Sequence, residues 1–62
     1  MTITLKYEEF ETNGGVTVYI EKYQDKGSVP FWRYGPVGGV WSDMLLNKPN
    51  RKRIIERYWY VP

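Results

Sequence analysis

Cysteine and histidine are both absent from this 62-residue chain. Without cysteine no disulfide can stabilise the fold, and the two commonest ligands of structural zinc are missing. Their absence also excludes Ser-His-Asp and Cys-His catalytic arrangements and the usual proton shuttle at neutral pH. The adjacent carboxylates of Glu8 and Glu9 are a poor acid–base pair, because neighbouring residues of a strand point to opposite faces. The sequence therefore predicts a protein that is not an enzyme and that uses no cofactor and no metal.

A long apolar run is absent as well. No stretch approaches the roughly 18–20 apolar residues that a membrane helix requires. Residues 1–7 alternate polar and apolar side chains and lack the basic and apolar regions of a signal peptide. We therefore expect an intact, soluble, cytoplasmic protein without a membrane partner, located in the host cytoplasm if it is phage-encoded.

The net charge is small, at +2, but the charges are unevenly distributed. Residues 1–31 hold three basic and five acidic residues, whereas residues 32–62 hold six basic and two acidic ones. Such asymmetry indicates an acidic or polyanionic partner for one surface of the folded chain. The alternative is that folding brings the two halves together, so that their charges neutralise one another.

Aromatic residues, in contrast, are abundant: six tyrosines, three tryptophans and two phenylalanines. A chain this short buries only about 60% of its unfolded surface, so its core is small. We expect some of the aromatic side chains to remain exposed as a patch.

A first strand is predicted over residues 2–7, where Ile3, Leu5 and Tyr7 alternate with polar residues. Phe10 falls on the opposite parity, so a β-bulge is expected near Glu8-Glu9.

A hairpin is predicted next, because Asn13-Gly14 suits a two-residue type I′ turn. This register places Tyr7 opposite Ile20, but it also sets glutamates against valines. Either the tip of the hairpin overhangs the core or Gly15 shifts the register. The second strand is expected over residues 16–23, with its even-numbered apolar residues facing the core, namely Val16, Val18 and Ile20.

A third strand is predicted over residues 29–34, after a tight turn at residues 25–28. Pro30 lacks an N–H group, which favours an edge strand or an irregular start of the strand. Such an edge can pair with a partner's sheet or with a second copy, giving a homodimer.

The remaining connections are predicted as a glycine-rich loop over residues 35–39 and one or two helical turns over residues 42–47. Ser42 is the expected N-cap of those turns, and Pro49-Asn50 is expected to form a turn. The glycine-rich loop lacks the spacing and the lysine of a phosphate-binding loop.

Residues 53–61 fit either a strand or a helix. Ile54 and Tyr58 are spaced as on a helix face, but three basic residues would stand at the positive end of the helix dipole. The β preference of isoleucine, tyrosine, tryptophan and valine favours a strand, in which Trp59 and Val61 close the core and Tyr58 and Tyr60 stay free.

These elements predict a single domain over residues 1–62 of a mainly β, small α+β class. The expected architecture is a curved antiparallel sheet or an SH3-like half-open barrel of four to five strands, with one short helical turn near residues 42–47. A sheet with one helix packed on it is the alternative. The expected core comprises Ile3, Leu5, Val18, Ile20, Trp41, Ile55 and Trp59.

The function that this composition favours is macromolecular binding through a basic and aromatic surface. Tyrosine, tryptophan and arginine are the residues most enriched at protein interface hot spots, so a protein partner is the first prediction, as for phage or mobile-element accessory and inhibitor proteins. Basic residues beside aromatic ones also suit single- or double-stranded nucleic acid, which is the alternative. The predicted contact residues are Lys48, Arg51, Lys52, Arg53, Arg57, Tyr58, Tyr60, Trp32 and Arg33.

Overall fold

The structure, a computed structural model, describes residues 1–58. Within these residues, three antiparallel strands form one open sheet in the order β1-β2-β3, and one helix follows them. The mainly β prediction is confirmed. Four to five strands and closure into an SH3-like barrel are not confirmed, because residues 1–58 form only three named strands. The elements are β1 (Thr2–Glu11), β2 (Thr17–Asp25), β3 (Phe31–Pro36) and α1 (Arg51–Arg57).

The β1–β2 hairpin closes one residue later than a type I′ turn would require. The Thr12 N–H donates to the Val16 carbonyl at 2.9 Å, and the Gly15 N–H donates to the Thr12 carbonyl at 3.0 Å. Gly15 has a φ of 79°, and no residue other than glycine has a positive φ among the described residues. Because a type I′ turn needs a positive φ at Asn13 as well, that prediction is wrong, and Gly15 shifts the register. Tyr7 consequently pairs with Glu21 instead of Ile20.

The β-bulge of β1 lies at Leu5, between Thr4 and Lys6, and not at the predicted Glu8-Glu9. The longer turn already sets Phe10 opposite Val18, so no correction of phase is needed near the hairpin. The extra residue reverses the alternation of side chains between the two faces along β1. Ile3 pairs with Gln24 on the side of the sheet that α1 covers, whereas Tyr7 lies on the opposite side, which we call the open face.

Strand β3 is an edge strand, as predicted, but its outer side is bonded to the segment that precedes α1. Trp32 and Leu45 exchange two backbone hydrogen bonds of 2.7 and 2.8 Å, and the Ser42 N–H donates to the Tyr34 carbonyl at 2.7 Å. The helical turn predicted for residues 42–47 is therefore wrong. The Ser42 hydroxyl, the expected cap, instead accepts the Tyr34 N–H at 3.2 Å. A six-residue helix has few internal hydrogen bonds, so pairing with the strand edge satisfies the backbone better.

Gly35 allows the chain to fold back over the open face. A Cβ atom at this position would lie 2.8 Å from the Cα of Trp41 and 3.0 Å from the carbonyl oxygen of Val40. Only glycine accepts so close a backbone approach. Trp41 is thereby held above β3, where it remains 42% exposed, and is not the core anchor that was predicted.

Residues 51–57 form helix α1, so the strand predicted over residues 53–61 is wrong within the described part. The Asn50 side chain accepts the Lys52 N–H at 2.9 Å and caps the helix. Ile54, only 2% exposed, packs against Val18 and Ile20 of the sheet. Burying an isoleucine is worth about 1.5–3 kcal/mol, and an asparagine N-cap adds about 0.5–2 kcal/mol. Each of the three basic residues of the first turn costs about 0.3–1 kcal/mol through the helix dipole. Docking and capping together thus outweigh the basic first turn.

The core lies between α1 and the covered side of the sheet. Its buried members are Val18, Ile20 and Ile54, against which half-buried aromatic residues pack. Besides Trp41, three expected core residues differ: Ile3 and Leu5 are exposed, and Ile55 is half-buried because its neighbour Ile54 takes the buried position. Trp59, Tyr60 and Val61 lie outside the described residues. The half-buried residues around the core are Phe10, Val16, Trp32, Tyr34 and Tyr58.

Within residues 1–58, no helix has the length and apolar composition that crossing a membrane requires.

Candidate functional site: two faces of opposite charge

The helix-covered side of the molecule carries most of the basic residues. Strand residues that pair directly opposite one another share a face, so Lys6 and Lys22 lie on the same side of the sheet as Val18 and Ile20. The segment from residue 48 and helix α1 add five more cations. The strands and the helix place two acidic residues on this side, Glu8 and Glu56, and Asp43, in the segment before α1, lines a depression with Tyr34 and Arg57. We call this surface the basic layer; its cations are Lys6, Lys22, Lys48, Arg51, Lys52, Arg53 and Arg57.

Sequence reasoning did not assign two strand residues, Lys6 and Lys22, to the basic layer. Lys22 has the same parity as Val18 and Ile20, and that alternation alone places it on the helix-covered face. Lys6 could not be placed in the same way, because the bulge at Leu5 changes the phase of β1.

Trp32 is the aromatic centre of one end of the basic layer. It is half-buried, and the Nζ atoms of Lys22 and Lys48 lie 5.7 and 5.9 Å from its ring centroid. These distances are within the range of cation–π attraction. Lys48 also forms an ion pair of 3.3 Å with Glu8. Trp32, Lys48 and Glu8 line a shallow open depression of about 330 Å³, together with Lys6 and Tyr7.

The helix supplies the other end of the basic layer. Arg51, Lys52, Arg53 and Arg57 are all exposed. The guanidinium carbon of Arg51 lies 4.6 Å from the ring centroid of Phe10, so part of this side chain covers the core. The predicted cluster of basic residues is therefore at the surface and on one side of the molecule.

The other predicted contact residues are placed differently. Tyr58 is half-buried against the core, and its carbonyl oxygen lies 3.4 Å from the Thr12 hydroxyl. Arg33 lies on the open face, on the opposite side of the sheet from Trp32. Tyr60 lies outside the described residues.

The open face carries a second group of side chains that sequence reasoning did not bring together. Glu9 pairs with Tyr19, Glu11 with Thr17 and Glu21 with Arg33, and each pair projects from this face. The signal in the sequence was the poor match of glutamates to valines in the two-residue turn. The face comprises Thr2, Thr4, Tyr7, Glu9, Glu11, Thr17, Tyr19, Glu21, Tyr23, Asp25, Phe31 and Arg33, with Trp41 above it.

Arg33 is held on the open face by contacts with β2 and with Trp41. Its Nε donates to Glu21 Oε1 at 2.7 Å, and its guanidinium carbon lies 4.6 Å from the Tyr23 ring centroid and 4.9 Å from the Trp41 ring centroid. The Thr4 hydroxyl donates to the other Glu21 oxygen at 2.6 Å. Burial acts to lower the pKa of Arg33, but the hydrogen bond and the charge of Glu21 outweigh it, so the pKa is raised. The cation is thus fixed by one carboxylate and two aromatic rings.

Tyr7 and Tyr19 form a stacked pair on the same face, with ring centroids 5.7 Å apart and planes inclined by 14°. The Tyr7 hydroxyl donates to Glu9 at 3.0 Å. Desolvation raises the pKa of Tyr7, and the hydrogen bond to Glu9 raises it further. Desolvation also raises the pKa of Tyr19, although Arg33 opposes this effect. Both phenols are therefore held in their neutral form.

We expect the protein to lose stability in alkali as these two phenols ionise. A pKa raised above 10.0 in the folded state means that folding favours the protonated phenol. Its contribution is complete below the unfolded pKa and is lost as the pH rises through the folded pKa. Phenolate absorbance and circular dichroism against pH would measure this. Tyr7→Phe should remove one late-titrating group, and an unchanged titration curve for that variant would contradict the assignment.

The charges of the chain therefore separate by face rather than by sequence half. The basic layer has seven cations and two anions, whereas the open face has four anions, namely Glu9, Glu11, Glu21 and Asp25, and one cation. Lys26 and Asp43 lie in connecting segments. Folding pairs the two halves of the sequence at two points, because the ion pairs Arg33–Glu21 and Lys48–Glu8 each join a basic residue of the second half to a glutamate of the first. In the described part of the chain, His, Cys, Asp and Glu residues form no group of three or more that would hold a metal ion.

Comparison of the chain with protein-family models, with curated proteins and with solved structures gave no match.

Proposed function

We propose that this protein is a small non-enzymatic binding protein whose basic layer docks on an acidic surface of a larger macromolecule, with a protein as the favoured partner. The observation that carries the proposal is the separation of charge, with seven basic residues on one side of the described chain against Glu8 and Glu56, and with Asp43 beside Arg57. A surface of one sign attracts a complementary partner and orients it during approach.

The cations of the basic layer are largely available to a partner. Among residues 1–58, the ion pairs are Arg33–Glu21 on the open face and Lys48–Glu8 on the basic layer. The other six cations of the basic layer form no salt bridge within that part of the chain. Exposed arginines beside an aromatic residue are typical of interface hot spots. A small cytoplasmic chain with this surface suits the role of an accessory or inhibitor protein of a phage or mobile element.

Nucleic acid is the second candidate, and the environment of Trp32 favours it. An aromatic face between two lysines can stack on a base while the lysines contact phosphates. Glu8 and Glu56 lie on the same side and would repel a phosphate backbone. The half-burial of Trp32 also limits stacking, so we favour the protein partner.

Charge reversal on the helix tests the assignment of the basic layer. We expect Arg51→Glu, Lys52→Glu and Arg53→Glu together to weaken partner binding at least about tenfold, because rim and surface charges govern attraction to an oppositely charged surface. All three side chains are exposed, so circular dichroism should show a folded protein. Affinity capture with wild type and variant, followed by mass spectrometry, would identify a partner that only the wild type retains.

The matched control uses two exposed lysines. Lys52 lies in the basic layer, whereas Lys26 lies in the turn between β2 and β3. Lys52→Glu should weaken binding and Lys26→Glu should not, although both variants change the net charge equally. Equal effects of the two substitutions would show that only the net charge matters, and the site assignment would then be wrong.

Salt dependence separates the two candidate partners. Nucleic-acid binding requires an affinity that falls steeply with salt, with log K linear in log salt concentration. Fluorescence anisotropy with labelled single- and double-stranded oligonucleotides at two salt concentrations would measure it. Oligonucleotide binding that the triple variant abolishes would favour nucleic acid, and no binding at low salt would remove that candidate.

A further inference from the structure

The open face is the side of the sheet that α1 does not cover. Helix α1 packs on the opposite side, against Val18 and Ile20. Among the described residues, Trp41 folds over this face above Gly35, and Tyr23 and Glu21, which contact Arg33, are buried. Tyr7, on β1, keeps 53% of its surface exposed. The accessible part of the face is therefore the part that holds Tyr7, Glu9 and Glu11.

The contacts of Arg33 demonstrate how this face binds a guanidinium group. One carboxylate, Glu21, lies 2.7 Å from Nε, and the rings of Tyr23 and Trp41 lie against the guanidinium within 5 Å. The guanidinium is planar, so it can stack on a ring and donate hydrogen bonds at its edge at the same time.

A similar set of groups stands beside Arg33 without a guanidinium. The stacked rings of Tyr7 and Tyr19 adjoin the carboxylate of Glu9, which accepts only the Tyr7 hydroxyl among the side chains of residues 1–58. Glu11 follows on the same face, two residues along β1. Neither Glu9 nor Glu11 forms an ion pair within the described residues.

We infer that the open face is a second binding surface, which takes an arginine-rich basic segment of a partner protein. Arginine side chains of that segment stack on the Tyr7–Tyr19 pair and form ion pairs with Glu9 and Glu11. Charge complementarity identifies the occupant, because this face has four anions and one cation, and that cation is already paired. The inference does not rest on the proposed function of the basic layer, which lies on the other side of the sheet.

Short labelled peptides test this surface directly. The probes are a fluorescein-labelled octapeptide of alternating arginine and glycine and its lysine and glutamate counterparts, measured by anisotropy with the full chain. We expect the arginine peptide to bind several-fold more tightly than the lysine peptide, because only the guanidinium stacks flat on an aromatic ring. No binding of the arginine peptide, or equal binding of the glutamate peptide, would overturn the inference.

Paired substitutions locate the binding. Glu9→Gln with Glu11→Gln removes two carboxylates from the open face, whereas Glu8→Gln with Glu56→Gln removes two from the basic layer. We expect the first pair to raise the Kd of the arginine peptide at least fivefold and the second to leave it within twofold. Equal effects of the two pairs would refute the site. Tyr7→Leu should also weaken the arginine peptide, with little effect on the lysine peptide.

Two further results distinguish this inference from its competitors. The Arg51→Glu, Lys52→Glu, Arg53→Glu variant should bind the arginine peptide no more weakly than the wild type, so the two proposed surfaces fail or succeed separately. Sedimentation velocity at low and high salt should show a monomer at both. Self-association at low salt that Glu9→Gln with Glu11→Gln abolishes would mean that the face takes the basic layer of a second copy, which overturns the inference.

Discussion

Replacing Ile54 with alanine should lower the free energy of unfolding by about 2–5 kcal/mol, the usual cost of truncating a fully buried isoleucine. Ile54 is the one buried residue of α1 and the only contribution of the helix to the buried cluster with Val18 and Ile20. Typical stabilities of about 0.05–0.15 kcal/mol per residue amount to roughly 3–9 kcal/mol for 62 residues. The substitution therefore removes much of the total, and we expect a largely unfolded variant at physiological temperature.

Ile55→Ala is the matched control for this prediction. Ile55 has the same side chain one position further along α1, but it is only half-buried. Its truncation should cost clearly less, because part of its surface already contacts water. Urea unfolding followed by circular dichroism measures both variants. Equal losses of unfolding free energy would mean that the helix does not dock through Ile54. The assignments of the core and of the basic layer would then be wrong.

The strands could be predicted from the sequence because their signals are local. Val18 and Ile20 alternate with polar residues, and a period of two is a property of the strand itself. Pro30 likewise predicted an edge position for the strand that follows it, and β3 is an edge strand.

The helix could not be predicted because the deciding interactions are distant in sequence. The aromatic and β-branched composition of residues 53–61 favours a strand locally. The buried position of Ile54 depends on β2, more than thirty residues earlier, and on the Asn50 cap, whose geometry appears only in the folded chain. Helix and strand preferences are weak, and tertiary packing overrides them. The Arg51–Arg53 cluster is exposed in the structure, as expected for either a strand or a helix.

The open face was missed because a single residue in the hairpin turn decides it. A register shift of one residue moves every side chain of a strand to the other face. With a two-residue turn, Tyr7 would face the core opposite Ile20; with Gly15 in the turn, it joins Tyr19 and Glu9 outside. The poor pairing of glutamates with valines was the signal for the longer turn. The set of side chains on the open face therefore depends on the longer turn that Gly15 permits.

Arg33→Met is the second substitution for which we expect a large effect, a loss of about 3 kcal/mol, at the lower end of the range for breaking a buried ion pair. Methionine keeps much of the aliphatic packing between Tyr23 and Trp41 but removes the charge. The side chain of Glu21 is only 10% exposed and would lose its ion partner, keeping the hydrogen bond from Thr4. The cost arises from leaving that carboxylate unpaired, and not from the loss of an attraction alone. Urea unfolding of the variant measures it.

Two comparisons separate this cause from ordinary loss of packing. Adding Glu21→Gln to Arg33→Met should restore much of the lost stability, because it replaces the unpaired carboxylate with a neutral amide. If the cost came only from lost packing, the second substitution would lower the stability further. Lys48→Met, which breaks the more exposed ion pair with Glu8 on the basic layer, should cost only about 0–1 kcal/mol. If Arg33→Met lowers the free energy of unfolding no more than Lys48→Met does, the Glu21–Arg33 pair does not stabilise the open face. The contacts of Arg33 would then no longer support a guanidinium site on this face. If the double variant recovers, the same pair explains how an acidic face can hold one arginine tightly and still present Glu9 and Glu11 to others.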